Sequence, residues 1–196
     1  MSNEITVRIT CSLQEIYNIL KNKGFSIVDK YNLEDTYYVL NNIDIRKQPI
    51  RKILKKYVLI RSIIQFVPDD FIDSYNLFTM TFKNKNIALD GTIISQDKKD
   101  CQIQNMEQGK AFIESLGYKE IMTIKENAIV YGKGELKLVI KDVVNGDNLI
   151  EIETIEDNSE LDTTDKLKAI INELQIPIDT NDYFVKKAEI ELKKII

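Results

Sequence analysis

Apolar and polar positions alternate one by one through much of the chain. In EITVRIT, residues 4–10, Glu4, Thr6 and Arg8 fall on one side and Ile5, Val7 and Ile9 on the other. Period two is the signature of a strand with one buried face. The same pattern recurs in DTYYVL (35–40), YVLIRSIIQF (57–66), FTMTFKNK (78–85), CQIQ (101–104), MTIKENAIVYG (122–132), ELKLVIKD (135–142) and LIEIE (149–153). Strands at this density, about eight of them, point to a sandwich or a barrel.

Helical periodicity interrupts the alternation. Ser12-Leu13-Gln14-Glu15 is a capping box, Leu13, Ile16, Tyr17 and Leu20 form an apolar stripe behind it, and Gly24 ends the run. Asn105 caps a second helix with Met106, Phe112, Ile113 and Leu116 on its apolar side and Gly117 at its end. SLQEIYNILKNKGF and NMEQGKAFIESLGY align without a gap, and Tyr38 then falls opposite Tyr131. An internal strand–helix–strand repeat and a chance match of two amphipathic helices both account for this. After Pro49, Ile50, Ile53, Leu54 and Tyr57 share a helical side, with Arg51, Lys52, Lys55 and Lys56 outside. Thr163 or Thr164 caps a helix running to Leu174, Pro177 breaks it, and Thr180 caps a last one. Gly132 and Gly134 in YGKGELK lack phosphate-loop spacing and read as a hairpin turn. No linker rich in Gly, Pro or Ser divides residues 1–196, so one domain is expected.

Composition narrows the chemistry. Hydrophobic residues are 43% of the chain, enough for a sizeable core, and the net charge of -4 argues against a nucleic-acid binder. No apolar run is long enough to span a bilayer and no export signal opens the chain, so a cytoplasmic, non-membrane protein is expected. Cys11 and Cys101 read as isolated buried thiols in a reducing compartment. Histidine is absent, which removes His-based triads and His metal sites. Carboxylates, Lys, Arg and Tyr remain, and carboxylates favour hard cations.

Glu4, Arg8, Arg61, Lys83, Glu151 and Glu153 each sit on a strand opposite apolar neighbours. Glu151 and Glu153 stand about 7 Å apart on one side of theirs. In an open sheet such a side is solvated. In a closed barrel with its apolar side turned to helices, it lines a channel holding both signs of charge. The basic stretch at 45–61 is a solvated surface or a region that attracts a polyanion.

The order of these pieces resembles the CYTH superfamily, the triphosphate tunnel metalloenzymes, which includes class IV adenylyl cyclases, thiamine triphosphatases and inorganic triphosphatases. Glu4-Ile5-Thr6-Val7-Arg8 stands where that family has E-x-E-x-K, and Asp35-Thr36-Tyr37-Tyr38 matches D-T-Y-[YF]. Arg61 alone answers an R-x-R strand, and Thr81-Phe82-Lys83 matches T-[YF]-K. Leu116-Gly117-Tyr118 matches L-G-[FY], and Lys125-Glu126-Asn127 stands for K-x-R. Asp142-Val143-Val144-Asn145-Gly146 and Leu149-Ile150-Glu151-Ile152-Glu153 match the closing strands, D-x-V-x-G and aromatic-V-E-I-E. The segment around Asn181-Asp182-Tyr183 also fits, so the resemblance spans nearly the whole chain.

The resemblance implies an α+β fold, an eight-stranded antiparallel closed β-barrel forming a tunnel with helices packed outside. It implies magnesium or manganese held by Glu4, Glu151, Glu153 and Asp142, with phosphate gripped by Arg8, Arg61, Lys83 and Lys125. Glu4, Arg8, Glu151 and Glu153 would carry the chemistry. The implied activity is metal-dependent hydrolysis of a small inorganic or organic triphosphate. The alternatives are a class IV-type adenylyl cyclase and a catalytically impaired binder of polyphosphate or nucleotide. A homodimer stays open. The chain departs from the family at Thr6, where a metal-binding glutamate is usual, at Arg8 for lysine, and at Asn127 for arginine. Lys98, Asp100 and Gln102 stand where paired acids precede the second helix.

Overall fold

A computed structural model describes residues 5–67, 73–87, 93–152, 164–182 and 185–196. Eight strands build one antiparallel sheet: β1 (Ile5–Arg8), β2 (Ser26–Leu40), β3 (Lys56–Phe66), β4 (Ser74–Ile87), β5 (Ile93–Gln102), β6 (Tyr118–Lys133), β7 (Leu136–Val143) and β8 (Asn148–Ile152). Their order across the sheet is β1-β8-β7-β6-β2-β3-β4-β5. The helices are α1 (Leu13–Asn22), α2 (Ile50–Ile53), α3 (Met106–Ser115), α4 (Thr164–Leu174) and α5 (Lys187–Lys193). The expected α+β class and strand number therefore hold. The pairings give the order of the strands, and closure into a tunnel stays an expectation of the resemblance.

The chain divides into two compact units, 1–31 with 66–74 and 126–186, and 32–65 with 75–125 and 187–196. In the first unit, register fixes which residues share a face, because directly opposed residues point the same way. Thr6 faces Glu151, Glu151 faces Val139, and Val139 faces Val130. The next rung runs Arg8, Leu149, Lys141, Ala128. The alternate residues Val7, Ile140, Ile150 and Ile152 turn to the other side, where Ile16 and Leu20 of α1 and Ile171 and Leu174 of α4 pack on them. The apolar half of LIEIE thus anchors the sheet to helices, and its Glu151 goes to the opposite face.

In the second unit, Tyr38, Val58, Ile60, Met80 and Phe82 pack against Ile113 and Met106 of α3. Alternation then sends Tyr37, Tyr57, Leu59, Arg61, Thr81 and Lys83 to the opposite face. Both expected capping helices form. Ser12 accepts from the Glu15 amide while Glu15 reaches back to the Ser12 amide, and Asn105 accepts from the Gln108 amide. Gly24 and Gly117 follow the two helices with φ of 82° and 84°, a conformation glycine adopts without strain.

Three local expectations change. The helix after Pro49 stops at Ile53, and Tyr57 joins β3, because alternation resumes at Lys56 and its ring packs on Tyr37. The last helix starts at Lys187 rather than beside Thr180. Cys11 lies past the end of β1 and is half-buried, and Cys101 is exposed on β5, so neither is the buried strand thiol expected. The Gly132–Gly134 stretch is the expected hairpin, with Lys133 facing Leu136 across a two-residue turn.

Candidate functional site

On the second unit the polar face gathers cations. Arg61 of β3 donates to both oxygens of Asp35 on β2, from Nε at 2.6 Å and from Nη2 at 2.8 Å. Asp35 is almost fully buried, so this fork fixes the guanidinium rigidly. Lys83 of β4 faces Lys98 of β5 across the ladder. Lys98 pairs with Asp100 at 2.9 Å, and Thr81 also donates to Asp100. Lys83 has no acidic partner among the ion pairs of the described residues. Burial pushes its ammonium down to about 8, and Arg61, Lys85 and Lys98 add to the fall, partly offset by Asp35. A partly buried cation among cations is destabilised alone and is relieved by an anion.

On the first unit the polar face gathers opposite charges. Lys141 of β7 lies diagonal to Glu151 of β8 and to Glu126 of β6. Its ammonium contacts Glu151 Oε2 closely and stands 3.9 Å from Glu126 Oε1. Glu126 and Glu151 are buried, Glu126 to 1% exposure, and Lys141 is partly buried. Burial alone would lower the Lys141 pKa, but Glu151 and Glu126 outweigh it and raise it well above the ordinary lysine value.

The sequence-selected residues fall in different places. Arg61 and Lys83 come together. Arg8 instead bridges two carboxylates, Asp147 at 3.0 Å and Asp179 at 3.3 Å, tying β1 to the β7–β8 turn and to the segment after α4. Lys125 pairs with Glu34 at 2.9 Å. Glu34 precedes Asp35 on β2, so alternation puts the Lys125–Glu34 pair on the face opposite Arg61. Asp142 follows Lys141 and likewise turns away from Glu151, accepting from Asn127 at 3.3 Å. Glu4 and Glu153 lie outside the described residues.

The resemblance implies a divalent ion on the first and last strands, and the described residues do not fit one at Glu151. Thr6, directly opposite, brings no carboxylate. Asp142 faces away, and the Lys141 ammonium sits against the Glu151 oxygen. Among the described residues no three carboxylates or thiols converge as a metal site. Lys141 was not among the residues singled out from the sequence. The detectable signal for Lys141 was a lysine in period with Val139, on the side of LKLVIKD that shares a face with Glu151.

No family model matches the chain, and no curated protein matches it either. Solved structures do. The PH1819 protein from Pyrococcus horikoshii OT3 is 20% identical, with 99% of each chain covered and a TM-score of 0.68. The fold is shared. HpAC1 from Hippeastrum, a proposed adenylyl cyclase with a dominant triphosphatase activity, is 13% identical, with a TM-score of 0.65 over 100% of this chain and 97% of that one. A proposed adenylate cyclase from Vibrio parahaemolyticus is 12% identical, with a TM-score of 0.62 over 98% and 97%. These likenesses agree with the sequence resemblance to the CYTH superfamily. Among the described residues no helix is long and apolar enough to cross a membrane.

Proposed function

We propose that this chain binds the phosphates of a small triphosphate compound at Lys83 and Arg61 and hydrolyses it. The observation that carries the reading is Lys83, a partly buried ammonium that faces Lys98 across the β4–β5 ladder on the face that also carries Arg61. A polyphosphate supplies several negative oxygens at once and relieves that repulsion. Arg61 is pre-oriented by Asp35 and presents a planar donor, suited to a phosphoryl oxygen. In hydrolysis, water attacks phosphorus in line, and Lys83 and Arg61 neutralise the charge that spreads over the phosphoryl oxygens. No step of this chemistry passes through a divalent ion on Glu151. The triphosphatase activity of HpAC1, a protein of the same fold, favours hydrolysis over cyclisation.

Thr6 and the Lys141–Glu151 contact support a second reading, a binder that grips a polyphosphate without turning it over. Phosphorus NMR separates the two. The protein is given tripolyphosphate and ATP in separate tubes, with and without magnesium or manganese. New phosphate or pyrophosphate signals establish hydrolysis, and a cyclic monophosphate signal establishes the cyclase. Protein-induced broadening without new species establishes the binder. If Lys83→Met leaves every such effect unchanged, the phosphate site is wrongly placed.

A further inference from the structure

Glu126 and Glu151 are two buried carboxylates on the polar face of the first unit, and Lys141 lies diagonal to both. The ammonium is close against Glu151 Oε2 and 3.9 Å from Glu126 Oε1. Across the β1–β8 ladder Glu151 faces Thr6, and across the β7–β8 ladder it faces Val139. Neither neighbour adds a charge. The ion pairs described at this place join these two carboxylates to one ammonium.

We infer that Lys141 is the built-in cation of the Glu126–Glu151 pair and that a divalent metal does not occupy this place. The reason is competitive. A magnesium or manganese ion would have to take the Glu151 oxygen from an ammonium already seated on it. The displaced ammonium would lose its close partner and keep the more distant Glu126. A lysine in this position does permanently, without an ion from solution, the charge balancing that a metal does elsewhere. The exchange is local to one corner of the sheet, since Thr6 lies directly opposite Glu151 on one flanking strand and Lys141 lies diagonal to it on the other. This inference stands apart from the phosphate reading, because its test contains no phosphate.

The test is a titration of the full chain with manganese(II) alone, followed by the electron paramagnetic resonance signal of the free ion. Glu151→Gln is expected to leave the manganese affinity of the otherwise natural chain within twofold. Lys141→Ala, which removes the ammonium and keeps both carboxylates, is expected to gain at least tenfold in affinity. Adding Glu151→Gln to that variant is expected to abolish the gain. A fall of more than twofold on Glu151→Gln alone overturns the inference, as does a folded Lys141→Ala with unchanged affinity. If Lys141→Ala does not fold, the single Glu151→Gln comparison decides the matter.

Discussion

Arg61 holds Asp35 through two hydrogen bonds, of 2.6 and 2.8 Å, and Asp35 is 1% exposed while Arg61 is about one-third exposed. The carboxylate is therefore the member that depends on the pair. Removing Arg61 leaves a buried charge without its fork, whereas removing Asp35 leaves a guanidinium that water reaches. Arg61→Ala is expected to cost about 2–3 kcal/mol, below a fully buried pair because of that exposure. Arg61→Lys should recover less than half of the loss, since an ammonium cannot reproduce two parallel bonds. Urea unfolding of the two variants checks both statements. Full recovery by lysine would show that charge alone, and not the fork, matters at Asp35.

Lys83 makes the stability of the protein depend on pH in an unusual direction. Its folded value lies near 8 and its ordinary value is 10.5. Between those limits the unfolded chain binds more protons than the folded one, so this group makes stability rise with pH from about 8 to 10.5. Anion binding moves the opposite way, because a neutral amine no longer attracts phosphate. Tripolyphosphate affinity should fall as pH rises above about 8. Lys83→Met should flatten this part of both profiles, weakening phosphate binding while leaving the protein as stable or more so. Calorimetric titrations and melting curves across this range decide it. A Lys83→Met protein that keeps the full pH dependence of binding would reassign the anion site.

The alternation of apolar and polar residues made the strands legible, because one buried face leaves a period-two record in the chain. The same record placed Arg61 and Lys83 on a common polar face. It did not settle which side of its strand Lys125 or Asp142 takes. At Lys125 the next residue, Glu126, is the buried one, and at Asp142 the preceding Lys141 is the one that meets Glu151. In both segments a charge is followed by another charge, so polarity alone marks no inward side. Pairing across strands resolves it, and register is a long-range property that local pattern does not contain. Arg8 illustrates the same limit. Its strand position was clear, but its partners Asp147 and Asp179 are far along the chain.

Lys141 couples more strongly to Glu151 than to Glu126, since the first contact is close and the second is 3.9 Å. Lys141→Met takes the ammonium away from two buried carboxylates and should cost about 3–5 kcal/mol. Paired with Glu151→Gln and with Glu126→Gln in separate double-mutant cycles, it should give a larger interaction energy in the first cycle. The raised Lys141 value means that this contribution is complete below about 10.5 and is lost only as pH climbs toward the folded value. Equal coupling in the two cycles would mean that the ammonium is shared evenly between the carboxylates.

Arg8 separates a structural cation from a phosphate-binding one. Its guanidinium is held between Asp147 and Asp179 at a position about one-third exposed, and Asp179 also donates its amide to the Arg8 carbonyl. Pairs with that exposure are screened, so Arg8→Ala should lower stability by only about 1 kcal/mol. With both carboxylates already engaged on it, the charge that Arg8 offers a polyphosphate is largely cancelled. Tripolyphosphate affinity in Arg8→Ala should therefore stay within about twofold of the natural chain, against a loss of about tenfold or more in Lys83→Met, of the size expected for a charge-assisted contact. Measured side by side at one ionic strength, the two variants rank the cations directly. A comparable loss in both would show that the anion draws Arg8 away from Asp147 and Asp179, and the first strand would then take part in binding.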